Sequence, residues 1–203
     1  MKNKRMENSV KSLVNLYTVV IGVALSLAVV QLINVNVGLK AITIPLLLLF
    51  AAFVATLFPF YHGALRHLDD AYIENDNNNI KDGALVIDFI LLFIHGLAFV
   101  VLSLLLAKPS EFAWVLLGLL SIDVIWGLFT HFAATTMRTL TAELKWSIIN
   151  FAFVGFWIWY LVANNFYFGE VQKPILLAIP IVLTCVLRSI ADYLWCREFY
   201  FPK

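Results

Sequence analysis

Six apolar runs of about 20 residues each decide what this chain can fold into, because a helix needs that length to cross a hydrocarbon core roughly 30 Å thick. The expected helices are 13–33, 41–75, 84–106, 112–131, 146–163 and 175–195. The runs are continuous and do not alternate, which excludes the strands of a membrane barrel. Composition agrees: 62% of the 203 residues are hydrophobic and 13% are charged, against about 45–50% and about 25% in soluble domains. A soluble core of this size cannot hide such an excess. The expected fold is therefore all-α, a polytopic six-transmembrane-helix bundle forming one integral membrane domain over residues 1–203.

Basic residues set the expected orientation. With the N-terminus inside, eleven of the fourteen Lys and Arg residues fall on the cytoplasmic side. Only Lys40, Lys108 and Lys173 fall outside. Both termini are therefore expected in the cytoplasm, and the location is the plasma (bacterial inner) membrane. Aromatic belts should mark the interfaces, with Trp114, Trp157, Trp159, Tyr160 and Tyr167 at the outer one. Tyr61, Trp146, Tyr193, Trp195 and Tyr200 fall at the inner one. The first run follows a basic leader, but its length and the absence of a small-x-small cleavage site mark a retained helix. Cys185 and Cys196 would stand about 16 Å apart on one helix. That is too far for a disulfide, so both are expected to be reduced and structural.

The outer loops are short, and the longest connection is cytoplasmic, residues 61–83. It should begin as a continuation of the second helix, with Arg66 and Asp70 spaced as an i, i+4 pair. A loop, NDNNNIKDG, follows, and Asp82 is placed to cap the third helix. His62, Arg66, His67, Asp69 and Asp70 are candidates for gating or partner contact, or for a structural role. The acidic string from Asp76 is not a calcium loop, because its sixth and twelfth positions are Lys81 and Ile87 rather than Gly and Glu. No metal site is expected. The linker ATTMRTLTAELK before the fifth span reads as a polar helix along the inner interface.

Ionisable groups inside a membrane are costly and point to function. The third span carries Asp88 and His95, the fourth Asp123 and His131, and the sixth Arg188 and Asp192. Counting about 1.5 Å per residue along an antiparallel hairpin brings His95 opposite Asp123 and Asp88 opposite His131. Two Asp–His pairs would then form a proton relay, or simply fix the packing. Arg188 should pair with Asp192 or reach Asp88. The first span carries no charge but has a stripe of Asn15, Thr18, Gly22 and Ser26, continued by Val29 and Ile33. Its Gly22–Ser26 step can pack against another helix. Alternatively the stripe lines a pore, with Ile21, Leu25 or Val29 as constrictions.

No GxSxG, HExxH, SxxK or P-loop is present, so the chain is read as non-enzymatic and free of cofactors. NLYTVVIGVALSLAVV and AAFVATLFPFYHGALRHL resemble the first two helices of the bacterial six-helix potassium channels related to lysosomal transmembrane protein 175. Phe60, Tyr61 and His62 match the aromatic-then-histidine end of that family's second helix. The family's RxxxFSD signature is replaced here by NLYT, Asn15 to Thr18. The resemblance implies a homo-oligomeric pore lined by Thr18, Ile21, Gly22, Leu25 and Val29, with Ser26 on the same stripe.

The leading expectation is a small homo-oligomeric ion channel or channel-like effector. Its partners would be the lipid bilayer, further copies of the chain, and a cytoplasmic regulatory protein or ligand; nothing points to nucleic acid. The alternatives are a proton-coupled small-molecule transporter using the Asp/His pairs, and a noncatalytic membrane assembly subunit.

Overall fold

The computed structural model describes residues 2–33, 43–74, 83–134, 141–166 and 173–202. Its helices are α1 (Lys2–Leu32), α2 (Ile44–Asp69), α3 (Ala84–Leu104), α4 (Pro109–Ala134), α5 (Ala142–Ala163), α6 (Pro174–Trp195) and the short α7 (Arg197–Tyr200). A π-helical turn, Asp70–Glu74, continues α2. Six of these helices are long and apolar enough to cross a membrane, and no strand occurs among the described residues. The chain is thus an all-helical membrane protein. The loop 75–82, Asp82, the linker 135–140 and Tyr167 lie outside the described residues.

The ends of the helices follow local chemistry. Thr43 caps α2, its hydroxyl accepting from Leu46 N, with Pro45 in the first turn. Thr141 caps α5 in the same way, so the described end of the expected linker helix, from Ala142, is the start of α5. The cap of α3 is Gly83, whose φ of 95° favours a residue without Cβ.

Two prolines lie inside transmembrane helices, Pro59 in α2 and Pro180 in α6. Each lacks an N–H and so frees the carbonyl four residues earlier. Neighbouring helices satisfy both. Ser189 Oγ donates to Ala55 O at 2.5 Å, and Tyr160 Oη donates to Leu176 O at 3.1 Å. A freed carbonyl in lipid must find such a donor, so each proline also specifies a helix pairing.

The pairing is not that of sequential hairpins. The principal contacts are α1 with α3, α2 with α6, and α4 with α5. α1 and α3 run parallel, as do α2 and α6; α5 lies antiparallel to α4. Small residues permit the closest approaches. A Cβ on Gly96 of α3 would meet Val20 Cγ1 at 2.7 Å. A Cβ on Gly127 of α4 would collide with Ser147 Oγ and stand 2.7 Å from Glu143 O. The buried small step of α1 is Ala24–Ala28, not Gly22–Ser26, because nothing lies within 4 Å of the Gly22 Cβ position.

The antiparallel succession of six helices brings both termini to one end of the bundle, here called the terminal end. Toward the far end the core is dry. Leu49, Phe53, Phe99, Leu102, Leu106, Phe112, Leu116, Trp157, Leu161, Leu177 and Ile181 are almost wholly buried. Of the expected belt residues, Trp159 and Trp195 are exposed, whereas Trp157, Trp146 and Tyr200 belong to the interior. Cys185 and Cys196 are free and buried.

Candidate functional site, a polar interior in the terminal half

The terminal half of the bundle buries two polar clusters that meet at Trp126. The first is centred on His67, in the last turn of α2. Its Nδ1 lies 3.1 Å from Glu143 Oε1 in the first turn of α5, and its Nε2 lies 3.3 Å from Asp88 Oδ2 in α3. A neutral imidazole has one N–H; two flanking carboxylates call for the doubly protonated ring, which donates from both nitrogens. Asp88 also accepts from Tyr72 Oη of the π-turn at 2.6 Å and from Trp126 Nε1 of α4 at 3.2 Å. One buried imidazolium and two carboxylates thus join α2, its π-turn, α3, α4 and α5. Such a pair is worth little against an apolar replacement, but removing one member leaves a bare buried charge.

The second cluster surrounds a cavity between α2, α3, α4, α5 and α6, lined by His95, Asp123, Trp126, Trp146, Asn150, Arg188, Asp192, Tyr200 and the apolar wall of Phe60, Gly63 and Ala64. Asn150 Nδ2 donates to Asp123 Oδ2 at 2.5 Å, and Arg188 Nη1 donates to Asn150 Oδ1 at 3.1 Å. The amide therefore relays between a carboxylate and a guanidinium. Arg188 lies over the Phe60 ring, 4.9 Å from its centroid, a cation–π contact. Tyr200 Oη donates to Asp192 Oδ2 at 3.0 Å. Burial and the nearby Asp192 carboxylate raise the Tyr200 hydroxyl well above the usual phenol range, so it remains a donor. The same two causes push the Cys196 thiol up to about 12, which makes it inert.

Several atoms around this cavity have no hydrogen-bond partner within the protein. They include Arg188 Nε and Nη2 and His95 Nε2. Trp146 Nε1 and Asp192 Oδ1 are likewise without a hydrogen-bond partner within the protein. His95 packs edge-on against Phe60 and Trp126, with ring centroids 5.6 Å and 6.0 Å away.

This arrangement corrects the expected Asp–His pairs. His95 does not bond Asp123, which is taken by Asn150. His131 does not meet Asp88; its Nδ1 lies 3.2 Å from Thr141 Oγ1, at the level where α5 begins. The expected adjacency does not hold, because α3 packs chiefly on α1 and α4 on α5. Arg188 reaches neither Asp88 nor Asp192 Oδ1, because Asn150 and Phe60 hold its guanidinium. Arg66 pairs with Glu74 rather than Asp70, through two bonds of 2.8 Å and 3.2 Å, and its Nε donates to Phe199 O at 3.1 Å. Asp70 is exposed and Asp69 half-buried. His62 lies 3.4 Å from Tyr193 Oη and against the Tyr200 ring. His67 is interior rather than available for contact. Asn150, Glu143, Tyr72 and Trp126 were not expected here; only Asn150 carried a signal, as an amide inside an apolar run.

The α1 stripe divides. Asn15, Thr18, Gly22, Ser26, Val29 and Ile33 face away from the bundle, and Leu25 lies half-buried at the edge. Ile21 turns inward with Tyr17, Ala24 and Ala28, so it does not share the outward surface. Thr18 Oγ1 bonds Val14 O and Tyr61 Oη, and Ser26 Oγ bonds Gly22 O.

Among the described residues, no group of three or more His, Cys, Asp and Glu side chains could hold a metal ion. Compared with family models, curated proteins and solved structures, the chain matches none of them.

Proposed function

We propose that copies of this chain assemble into an ion channel in the plasma (bacterial inner) membrane, with both termini cytoplasmic and the outward polar face of α1 lining the shared pore. The observation that carries this reading is the direction of that face. Gly22 and Ser26 point away from the chain's own core along a membrane-spanning helix, and Thr18, whose hydroxyl bonds Tyr61 of α2, is exposed on the same side. Polar groups are favoured at helix–helix or water-lined surfaces rather than in lipid. A pore between copies also needs no passage through the dry half of the bundle. The likeness of the first two spans to the potassium-channel family agrees with this placement. Val29 and Leu25 are then the apolar constrictions. The end of α2, with the half-buried Arg66 and Asp69 and the exposed Asp70, is where a cytoplasmic partner or ligand would act on the gate.

The test is ion release from liposomes containing the purified protein. Wild type should release ions down a gradient, and Gly22→Leu should reduce the rate at least tenfold while leaving the fold intact. Absence of release in every ion gradient contradicts the channel reading.

A second reading, a proton-coupled small-molecule transporter, is favoured by the polar cavity at half depth. It predicts that uptake follows an imposed pH gradient and is lost in Asp123→Asn.

A further inference from the structure

We infer that the cavity bounded by Asp123, Arg188 and Asp192 is a hydrated proton-binding site, holding one exchangeable proton shared between the two aspartates.

Charge comes first. Asp123 and Asp192 in their ordinary ionised forms carry two negative charges, and Arg188 carries one positive charge. The walls are left with one uncompensated negative charge. The neighbouring His67 imidazolium gives Asp123 only partial relief, since it is already shared by Asp88 and Glu143. An unpaired charge in a low-dielectric interior is strongly disfavoured, and it is relieved most simply by taking up a proton.

The hydrogen-bond inventory narrows the occupant. Arg188 Nε and Nη2 form an open fork, 4% exposed, that requires an acceptor. Asp192 Oδ1 lacks a donor. His95, 2% exposed, leaves Nε2 open. A metal cation would meet the guanidinium fork and be repelled. A further anion would raise the negative charge of the walls. Water both donates and accepts, and it carries a proton between carboxylates. The cavity has about 20 Å³ for the centre of a water molecule, above the roughly 10–15 Å³ that one water needs.

Titratable groups surround the site on every side. Tyr17 stands on α1, His67 on α2, His95 on α3, Glu143 on α5, Cys196 after α6 and Tyr200 on α7. Tyr17 and Tyr200 are hydroxyl donors, Cys196 is a thiol, and His67 and Glu143 bond each other. His95 packs edge-on against the Phe60 and Trp126 rings, with no carboxylate bonded to it to hold an imidazolium, which leaves Asp123 and Asp192 as the pair on which a proton is exchanged. The site lies about 10 Å inside the terminal end of α6, counted from Arg188 to Trp195, while the core beyond it is dry. Exchange is therefore with the terminal side.

The inference is independent of the channel reading, because the proton can be observed without any flux. The experiment is infrared difference spectroscopy on the full chain in lipid nanodiscs, with carboxyl-13C aspartate labelling. A protonated-carboxyl band is expected at neutral pH. It should shift with the label, shift again in D2O, and disappear as the pH is raised. Either Asp123→Asn or Asp192→Asn removes one negative charge, so each alone should abolish the band. Lack of a band in wild type, a band that ignores the aspartate label, or a band that survives either replacement overturns the inference. Should neither variant fold, the label, D2O and pH responses of wild type decide.

Discussion

The two halves of the bundle solve the same problem in opposite ways. The terminal half buries polar side chains in three hydrogen-bonded sets, His67 with Asp88 and Glu143, Asn150 with Asp123 and Arg188, and Asp192 with Tyr200. The far half buries Phe53, Phe99, Phe112, Trp157 and a set of leucines, and its tertiary specificity comes from shape. Even there, the bond from Tyr160 to the carbonyl freed by Pro180 shows that one polar defect fixes one helix neighbour. The difference teaches that the buried charged side chains of a single chain are confined to the terminal half. Under the proposed channel reading, ion passage would then run between copies, or would await a rearrangement of the apolar half.

Substitutions can break this contrast. The largest effect is expected for His67→Ala, which leaves Asp88 and Glu143 facing each other without their cation. Loss of a buried partner costs about 3–5 kcal/mol, read as a fall in thermal unfolding temperature in detergent. His67→Ala combined with Asp88→Asn and Glu143→Gln should recover most of that loss. In the dry half, Phe99→Ala should cost about 3 kcal/mol through the cavity it leaves, and no change of polar partner should rescue it. Gly127→Ala follows at about 1–3 kcal/mol, because the added methyl group meets Ser147 and the Glu143 carbonyl and overpacks the α4–α5 contact. Ser189→Ala should cost about 1 kcal/mol by leaving the Ala55 carbonyl unpaired, and Ser189→Thr should restore it. The smallest change concerns reactivity. With its thiol pushed up to about 12, Cys196 should resist maleimide in the folded protein and label fully after denaturation.

The spans were legible in the sequence to within a few residues at most ends, because apolar length is dictated by the bilayer alone. The main departure is α1, which begins at Lys2 rather than 13. That Asp88, His95, Asp123 and Arg188 lie inside apolar helices was legible for the same reason. Partnership was not. Which helices touch is settled by Gly96, Gly127, Ala24 and Ala28 and by the two proline-freed carbonyls, none of which shows its partner along the chain. His67 could not be recognised as interior, because it lies in a polar stretch beyond the apolar run. The α1 stripe was readable from its spacing, but Ile21 could be turned inward only once α3 was known to lie against that side.

A single thiol on the outward face of α1 tests most directly whether that face meets water in a conducting pore. Ser26→Cys places one accessible thiol on that face, since both native cysteines are buried. Ion release from liposomes carrying this variant should be measured before and after reaction with a thiol-specific, membrane-impermeant cation. Release is predicted to be near wild type before the reaction and strongly reduced after it. Release that is unaffected by modification of that thiol, or wild-type protein that releases no ion, contradicts a pore lined by α1.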